Sequence, residues 1–144
     1  MSELYEKSLQ KLELDQVLKQ LSACAGSEGG KEACLRLRPT SDLEEVTLLL
    51  QQTTAASDLC ARKGNPVFGD VTDVSSSLER AERGGTLQPK ELLRIGGILR
   101  CARTIQGYVS PDDPNTVLDS LFRSLTPNKY LEDKITGSIL SEDE

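Results

Sequence analysis

An all-α fold, a bundle of several helices, is predicted for this 144-residue chain from three features. Aromatic residues make up 3% of the chain and tryptophan is absent, while Leu, Ala, Glu, Gln, Lys and Arg, the residues a helix tolerates best, recur throughout. Apolar residues repeat at steps of three and four over several stretches, the period of one helical face. Glycine and proline cluster between those stretches and so punctuate them. With 37% apolar residues the chain has an ordinary core-forming fraction, and its length suits a single helical domain over 1–144.

The first stretch, Leu4 to Ala25, places Leu14, Val17, Leu18 and Leu21 on one face, with Asp15 as an N-cap. Gly26 is expected to end it in a left-handed turn, Ser27 to cap a short helix to about Leu37, and Pro39 to stop that helix. Ser41 and Glu44 have capping-box spacing, in which hydroxyl and carboxylate each satisfy a free backbone donor. From there Leu43, Val46, Leu50, Thr53, Ser57 and Cys60 form a stripe, widened by Leu48, Leu49 and Leu59, on a helix reaching about Lys63.

Gly64-Asn65-Pro66 with Gly69 and Asp70 breaks the pattern and leaves at most a short extended piece over 66–70. A brief helix from near Asp73 to about Arg83 groups Val74, Leu78 and Ala81, and Gly84-Gly85 ends it. Pro89 opens a second long helix with Ile95, Ile98, Ala102, Ile105 and Val109 on its stripe and Leu92 and Leu99 beside it. Gly96-Gly97 inside it costs roughly 1 kcal/mol per residue against Ala, so a close backbone approach is expected there in preference to a kink. Past Ser110 to Pro114, a short helix should present Val117, Leu118, Leu121, Phe122 and Leu125. Thr126 and Pro127 should then cap and open a last helix with Tyr130, Leu131 and Ile135 on one side. Ser141-Glu142-Asp143-Glu144 follows Ile139-Leu140 without a visible partner segment, so the natural chain is expected to continue.

Little chemistry is encoded. The chain has no histidine, which removes the commonest proton carrier near neutral pH, the usual Ser-His and Cys-His nucleophile pairs and the Cys/His zinc sites. Cys24, Cys34, Cys60 and Cys101 show no C-x-x-C spacing and read as reduced structural thiols. The carboxylate pairs Glu44-Glu45, Asp112-Asp113 and Glu132-Asp133 read as solvated surface. Gly30-Lys31 fails as a phosphate loop, because Ala25 stands where the first glycine must be and Glu32 where a hydroxyl must reach magnesium. No catalytic, cofactor-binding or metal-ligating residue is therefore assigned.

A net charge of −6 repels phosphate backbones overall, so any nucleic-acid contact has to be local. The most basic stretch holds Arg80, Arg83, Lys90, Arg94, Arg100 and Arg103, of which the five arginines are the candidate contacts, interleaved with Glu79, Glu82 and Glu91, and Arg94 and Arg103 fall on opposite sides of their helix. A mixed-charge solvated face is the plainer reading. Neither a charged leader with an apolar run nor about 18 consecutive apolar residues is present, so a cytoplasmic location is expected.

Taken in order, Lys11-Leu12-Glu13-Leu14-Asp15-Gln16-Val17-Leu18, Gly30-Lys31-Glu32-Ala33, Leu37-Arg38-Pro39 and Asp42-Leu43-Glu44-Glu45 resemble the opening of the bacterial MutS proteins of the second type. The likeness continues through Phe68-Gly69-Asp70-Val71-Thr72-Asp73-Val74, Leu78 to Gly85 and Leu87 to Leu93, while Gln51-Gln52-Thr53-Thr54 departs from it. The resemblance implies the first part of a helical core, like the third domain of MutS proteins, that joins an ATPase dimer to a clamp. It implies a parent that is a homodimeric, cytoplasmic bacterial ATPase using ATP and magnesium and a probable endonuclease. That parent would bind branched DNA, suppress recombination and rescue stalled ribosomes. The ATPase, clamp and nuclease-like motifs are not within these residues, so the fragment itself is expected to be non-catalytic, partnered by the rest of the parent chain and a second subunit. The alternative is a stand-alone helical adaptor for protein partners.

Overall fold

The computed structural model describes residues 3–69 and 71–139. Among them are eight α-helices and no strand, as the composition predicts. Where one domain over 1–144 was expected, the packing groups the chain into two compact units, 1–39 and 40–144. Residues 140–144, on which the expected continuation of the chain was read, lie outside the described residues, as does Asp70 at the end of the expected extended piece.

The first unit holds α1 (Glu3–Lys11), α2 (Leu14–Cys24) and α3 (Glu28–Arg36). Its first stretch is two helices, not one, because Glu13 takes the left-handed conformation at φ 53 and ψ 35. Asp15 thus sits in the first turn of α2 and is not its cap. The α2–α3 turn also differs from expectation: Gly26 does not adopt positive φ, and Ala25 ends α2 in an extended conformation with its N–H on the Ser22 carbonyl. Ser27 does cap α3, its hydroxyl accepting from the Gly30 N–H at 3.1 Å. Leu18 is the buried residue of α2, which packs against α3 and α1, whereas Val17 and Leu21 are exposed. The Tyr5 hydroxyl donates to the Pro39 carbonyl at 3.0 Å and holds the end of the unit to its beginning.

The second unit begins with α4 (Leu43–Lys63). Its cap is Asp42, one residue past the expected Ser41: the Asp42 carboxylate accepts from the Glu45 N–H at 2.9 Å. The Thr40 hydroxyl accepts from the Asp42 N–H at 3.2 Å and donates to the Glu45 carboxylate at 2.7 Å, so it stands between the two groups that a capping box would join directly. The inward face of α4 is the expected one only in part: Val46 and Cys60 of the stripe are half-buried and Leu59 is buried, but the rest of the stripe is exposed. Gln52, Ala55 and Ala56 are half-buried as well, while Leu43 and Leu50 are 79% and 63% exposed. Both faces carry leucines, and the one with the longer run points outward.

Gly64, at φ 79, ends α4, and residues 64–69 and 71–74 are irregular. Then come α5 (Ser75–Glu82), α6 (Pro89–Gln106), α7 (Asp119–Ser124) and α8 (Lys129–Ser138). The Asp73 carboxylate takes both the N–H and the hydroxyl of Ser75 ahead of α5, at 2.9 and 2.6 Å. Gly84-Gly85 closes that helix in a Schellman motif: the Gly85 N–H reaches the Arg80 carbonyl and the Gly84 N–H that of Ala81, each at 2.9 Å. A Cβ at residue 85 would lie 2.9 Å from the Arg80 carbonyl oxygen, so glycine is required there. The buried residue of α5 is Ser77, and Leu78 and Ala81, expected inside, are exposed.

Helix α6 carries the core of the unit. Ile105 is buried, and Leu92, Ile95, Ile98, Leu99 and Ala102 are half-buried, following the expected stripe. It packs against α8 and α7. On α7 Leu121 is exposed, contrary to expectation, while Leu118 just before it is buried. The last helix starts later than expected: Asn128, not Thr126, caps it, accepting from the Leu131 N–H at 3.0 Å. That start turns Ile135 and Glu132 inward and leaves Tyr130 74% exposed instead of on the packed side.

Candidate functional site

The ordered polar centre of the second unit lies between α6 and α8. Arg100 and Arg103, one turn apart on α6, both face Glu132 of α8. Arg103 forms a two-pronged pair, Nε to Oε2 at 2.9 Å and a terminal nitrogen to Oε1 at 2.8 Å, and Arg100 Nε approaches Oε1 at 3.4 Å. Glu132 is 4% exposed. The Arg103 bonds, with Arg100 adding, outweigh burial and hold its carboxyl down at about 2. The Arg103 guanidinium is correspondingly pushed up by Glu132. Glu132 was expected to be solvated; it points away from Asp133, as neighbours on a helix do, but toward the arginines of α6, while Asp133 faces outward to Lys129 at 2.9 Å.

A second cluster joins α5 to the start of α6. Glu91 accepts from the Gln88 N–H at 2.9 Å, from the Ser77 hydroxyl at 2.6 Å and from Arg80. These bonds, the backbone one first, lower its carboxyl to about 2. A third latches the end of α4 to the loop after α6. Asp113, also expected to be solvated, pairs with Lys63 and with Arg62 at 3.3 Å and accepts from the Ser110 N–H at 2.7 Å. Lys63 and then the Ser110 N–H lower its carboxyl. The Tyr108 hydroxyl donates to the Gly64 carbonyl, and burial above all pushes its phenol up.

The five arginines considered for nucleic acid are therefore not brought together as one surface. Arg80 belongs to the Glu91 cluster and Arg83 pairs with Glu79 at 3.9 Å along α5. Arg100 and Arg103 serve Glu132. Arg94 is exposed and, among the described residues, makes no ion pair. Residue spacing could not reveal the pairings of Arg80, Arg100 and Arg103, because the acid that each meets comes from another helix.

The grooves are open, and the first mixes leucines with Gln10, Asp15, Lys19 and Arg38. One of about 460 Å³ in the first unit is lined by Leu14, Leu18, Leu35 and Arg38. Another, of about 620 Å³, runs along α4 beside Pro114, Thr116 and Val117. Among the described residues no three His, Cys, Asp or Glu side chains converge to hold a metal ion. The cysteines are unpaired with one another, and burial raises the Cys101 thiol. No helix of the described residues is long and apolar enough to cross a membrane. The site's chemistry is thus that of a strut: ion pairs fixing one helix against another.

No protein-family model matches the chain. It is 41% identical over 142 residues to Endonuclease MutS2 of Ruminiclostridium cellulolyticum, covering 96% of this chain and 18% of that protein. It is 38% identical over 143 residues to Endonuclease MutS2 of Acetivibrio thermocellus and 33% identical over 142 residues to that of Clostridium beijerinckii, with the same coverage. The chain resembles one region of a MutS2 protein and spans 18% of the length of these curated relatives.

Proposed function

We propose that this chain, resembling one region of a MutS2 protein, is a non-catalytic transmission module of a larger MutS-type homodimeric ATPase that acts on branched DNA or stalled ribosomes. The observation that carries the proposal is the pairing of α6 with α8, fixed by the two-pronged Arg103–Glu132 pair and by Ile135 against Gly96. Two helices pinned by arginines closing over a buried carboxylate and by a side chain seated on a glycine move as one body, as a relay between distant sites needs. The partners of this reading are the rest of the parent chain and a second subunit. ATP and magnesium would act elsewhere in the parent.

The test uses the longer protein with and without Glu132→Gln. Basal nucleotide hydrolysis should persist, while the change in target affinity between nucleotide states should fall at least tenfold. Unchanged coupling in the variant would overturn the proposal, as would nucleotide hydrolysis by the 144-residue chain itself.

A further inference from the structure

We infer that the groove between α4 and residues 114–117 seats a basic amphipathic helix from elsewhere in the longer protein. The groove, of about 620 Å³, has an apolar centre made by Leu50, Ala55, Pro114 and Val117. Leu50 is 63% exposed, so the centre stands open to solvent. Apart from α4, no helix of the described residues lines it.

The charges around that centre define what the occupant carries. Glu44, Gln51 and Asp58 follow at seven-residue steps, close to two turns each, and so share one line along α4. Gln51 and Asp58 line the groove, and Glu44 extends the line past it. Both acids are exposed, and among the described residues neither meets a cation. Arg62, the cation of the lining, is turned to Asp113 at 3.3 Å. The face is therefore apolar in the middle, with an uncompensated acid toward each end, the two about 21 Å apart. Its complement is a helix of about four turns with an apolar stripe and a Lys or Arg toward each end. An acidic helix would set acid against acid at both ends.

The strength of the site points to the source. One open groove that mixes leucine with threonine and glutamine gives a free helix little to hold. A helix on the same polypeptide is instead tethered at an effective concentration of about 1 mM, and needs little affinity of its own. This chain spans 18% of the length of its relatives, which leaves ample sequence for such a helix. The inference rests on the reading of the chain as part of a longer protein, and not on the transmission role.

Thiol labelling of Thr54→Cys tests it, resolved by peptide mass spectrometry so that Cys60 and the other native thiols are read separately. Residue 54 should label at least tenfold more slowly in the longer protein than in the 144-residue chain. Asp58→Lys in the longer protein should return most of that rate, and Asp58→Asn less of it. Equal labelling in the two chains would overturn the inference, as would protection that Asp58→Lys leaves intact. The occupant is identified by crosslinking from a photoreactive phenylalanine put in place of Thr47, with isotope-mixed protein to tell the same chain from a second copy. A link to a basic helix beyond residue 144 of the same chain is expected. Links only to a second copy, or to another protein, would overturn the assignment. Nucleotide coupling in Glu132→Gln is a separate readout, so the transmission role can fail without moving any of these outcomes.

Discussion

Gly96 of α6 lies directly beneath Ile135 of α8: a Cβ built at residue 96 would stand 3.2 Å from Ile135 Cγ2 and 3.7 Å from its Cβ. A Cβ at its neighbour Gly97 would meet nothing within 4 Å. The two glycines therefore answer oppositely to one methyl group. Gly97→Ala should stabilise the chain by about 1 kcal/mol through helix propensity alone. Gly96→Ala gains the same propensity but must displace a buried β-branched side chain, a strain of about 1–3 kcal/mol, so it should be neutral or destabilising. Urea unfolding midpoints compare them, and equal stabilisation by both would show that α8 does not approach so closely.

Glu132 governs acid stability. Its ordinary carboxyl value of 4.5 falls to about 2 in the folded chain, so folding favours the ionised form. The stability this contributes is complete above about 4.5 and is lost as pH falls toward 2. Glu91 acts in the same direction over the same window. Glu132→Gln should lower the urea midpoint at pH 7 and flatten its decline between pH 4.5 and 2. Arg103→Lys should recover little, since an ammonium cannot supply the paired prongs. A Glu132→Gln profile parallel to that of the parent chain would contradict the pairing.

About half of the helix ends were legible, those set by a local backbone demand. Ser27, Pro89, Gly64 and Gly84-Gly85 each solve a backbone problem with a nearby side chain or a missing Cβ. The capping of α4 slipped by one residue because Thr40, Ser41 and Asp42 all offer oxygen acceptors, and a carboxylate is the stronger one. Which face turns inward was less legible. Leu50 and Leu59 are equal candidates on one helix, and only the neighbouring elements decide between them. Glu132 was hidden for the same reason: its partners Arg100 and Arg103 come from another helix, and a carboxylate next to Asp133 looks like surface until they are placed.

Glu13 went unmarked as well, since nothing in Leu12-Glu13-Leu14 signals a left-handed residue. For a residue with a Cβ that conformation costs about 1–2 kcal/mol, partly offset by the chain freedom glycine would add when unfolded. Glu13→Gly should therefore stabilise the chain by roughly 0.5–1 kcal/mol. Thermal unfolding measures it. A loss of stability would mean that the 3–24 stretch prefers a continuous helix.

Binding to nucleic acid should be weak and owe little to the arginine stretch. Four of the five residues already meet a carboxylate: releasing Arg80, Arg100 or Arg103 to phosphate would take a partner from Glu91 or Glu132, while Arg83 has only a long, exposed pair with Glu79. Arg94 remains, on a chain of net charge −6. One phosphate contact gives a logarithmic salt slope of about −0.9 on duplex DNA, so titration of duplex and branched DNA should show a slope no steeper than about −1. Arg94→Ala should remove most of that dependence, whereas Arg103→Ala should chiefly lower the unfolding midpoint. A slope of about −4 or steeper would mean that the paired arginines leave their carboxylates for DNA, and the strut between α6 and α8 would then be a switch.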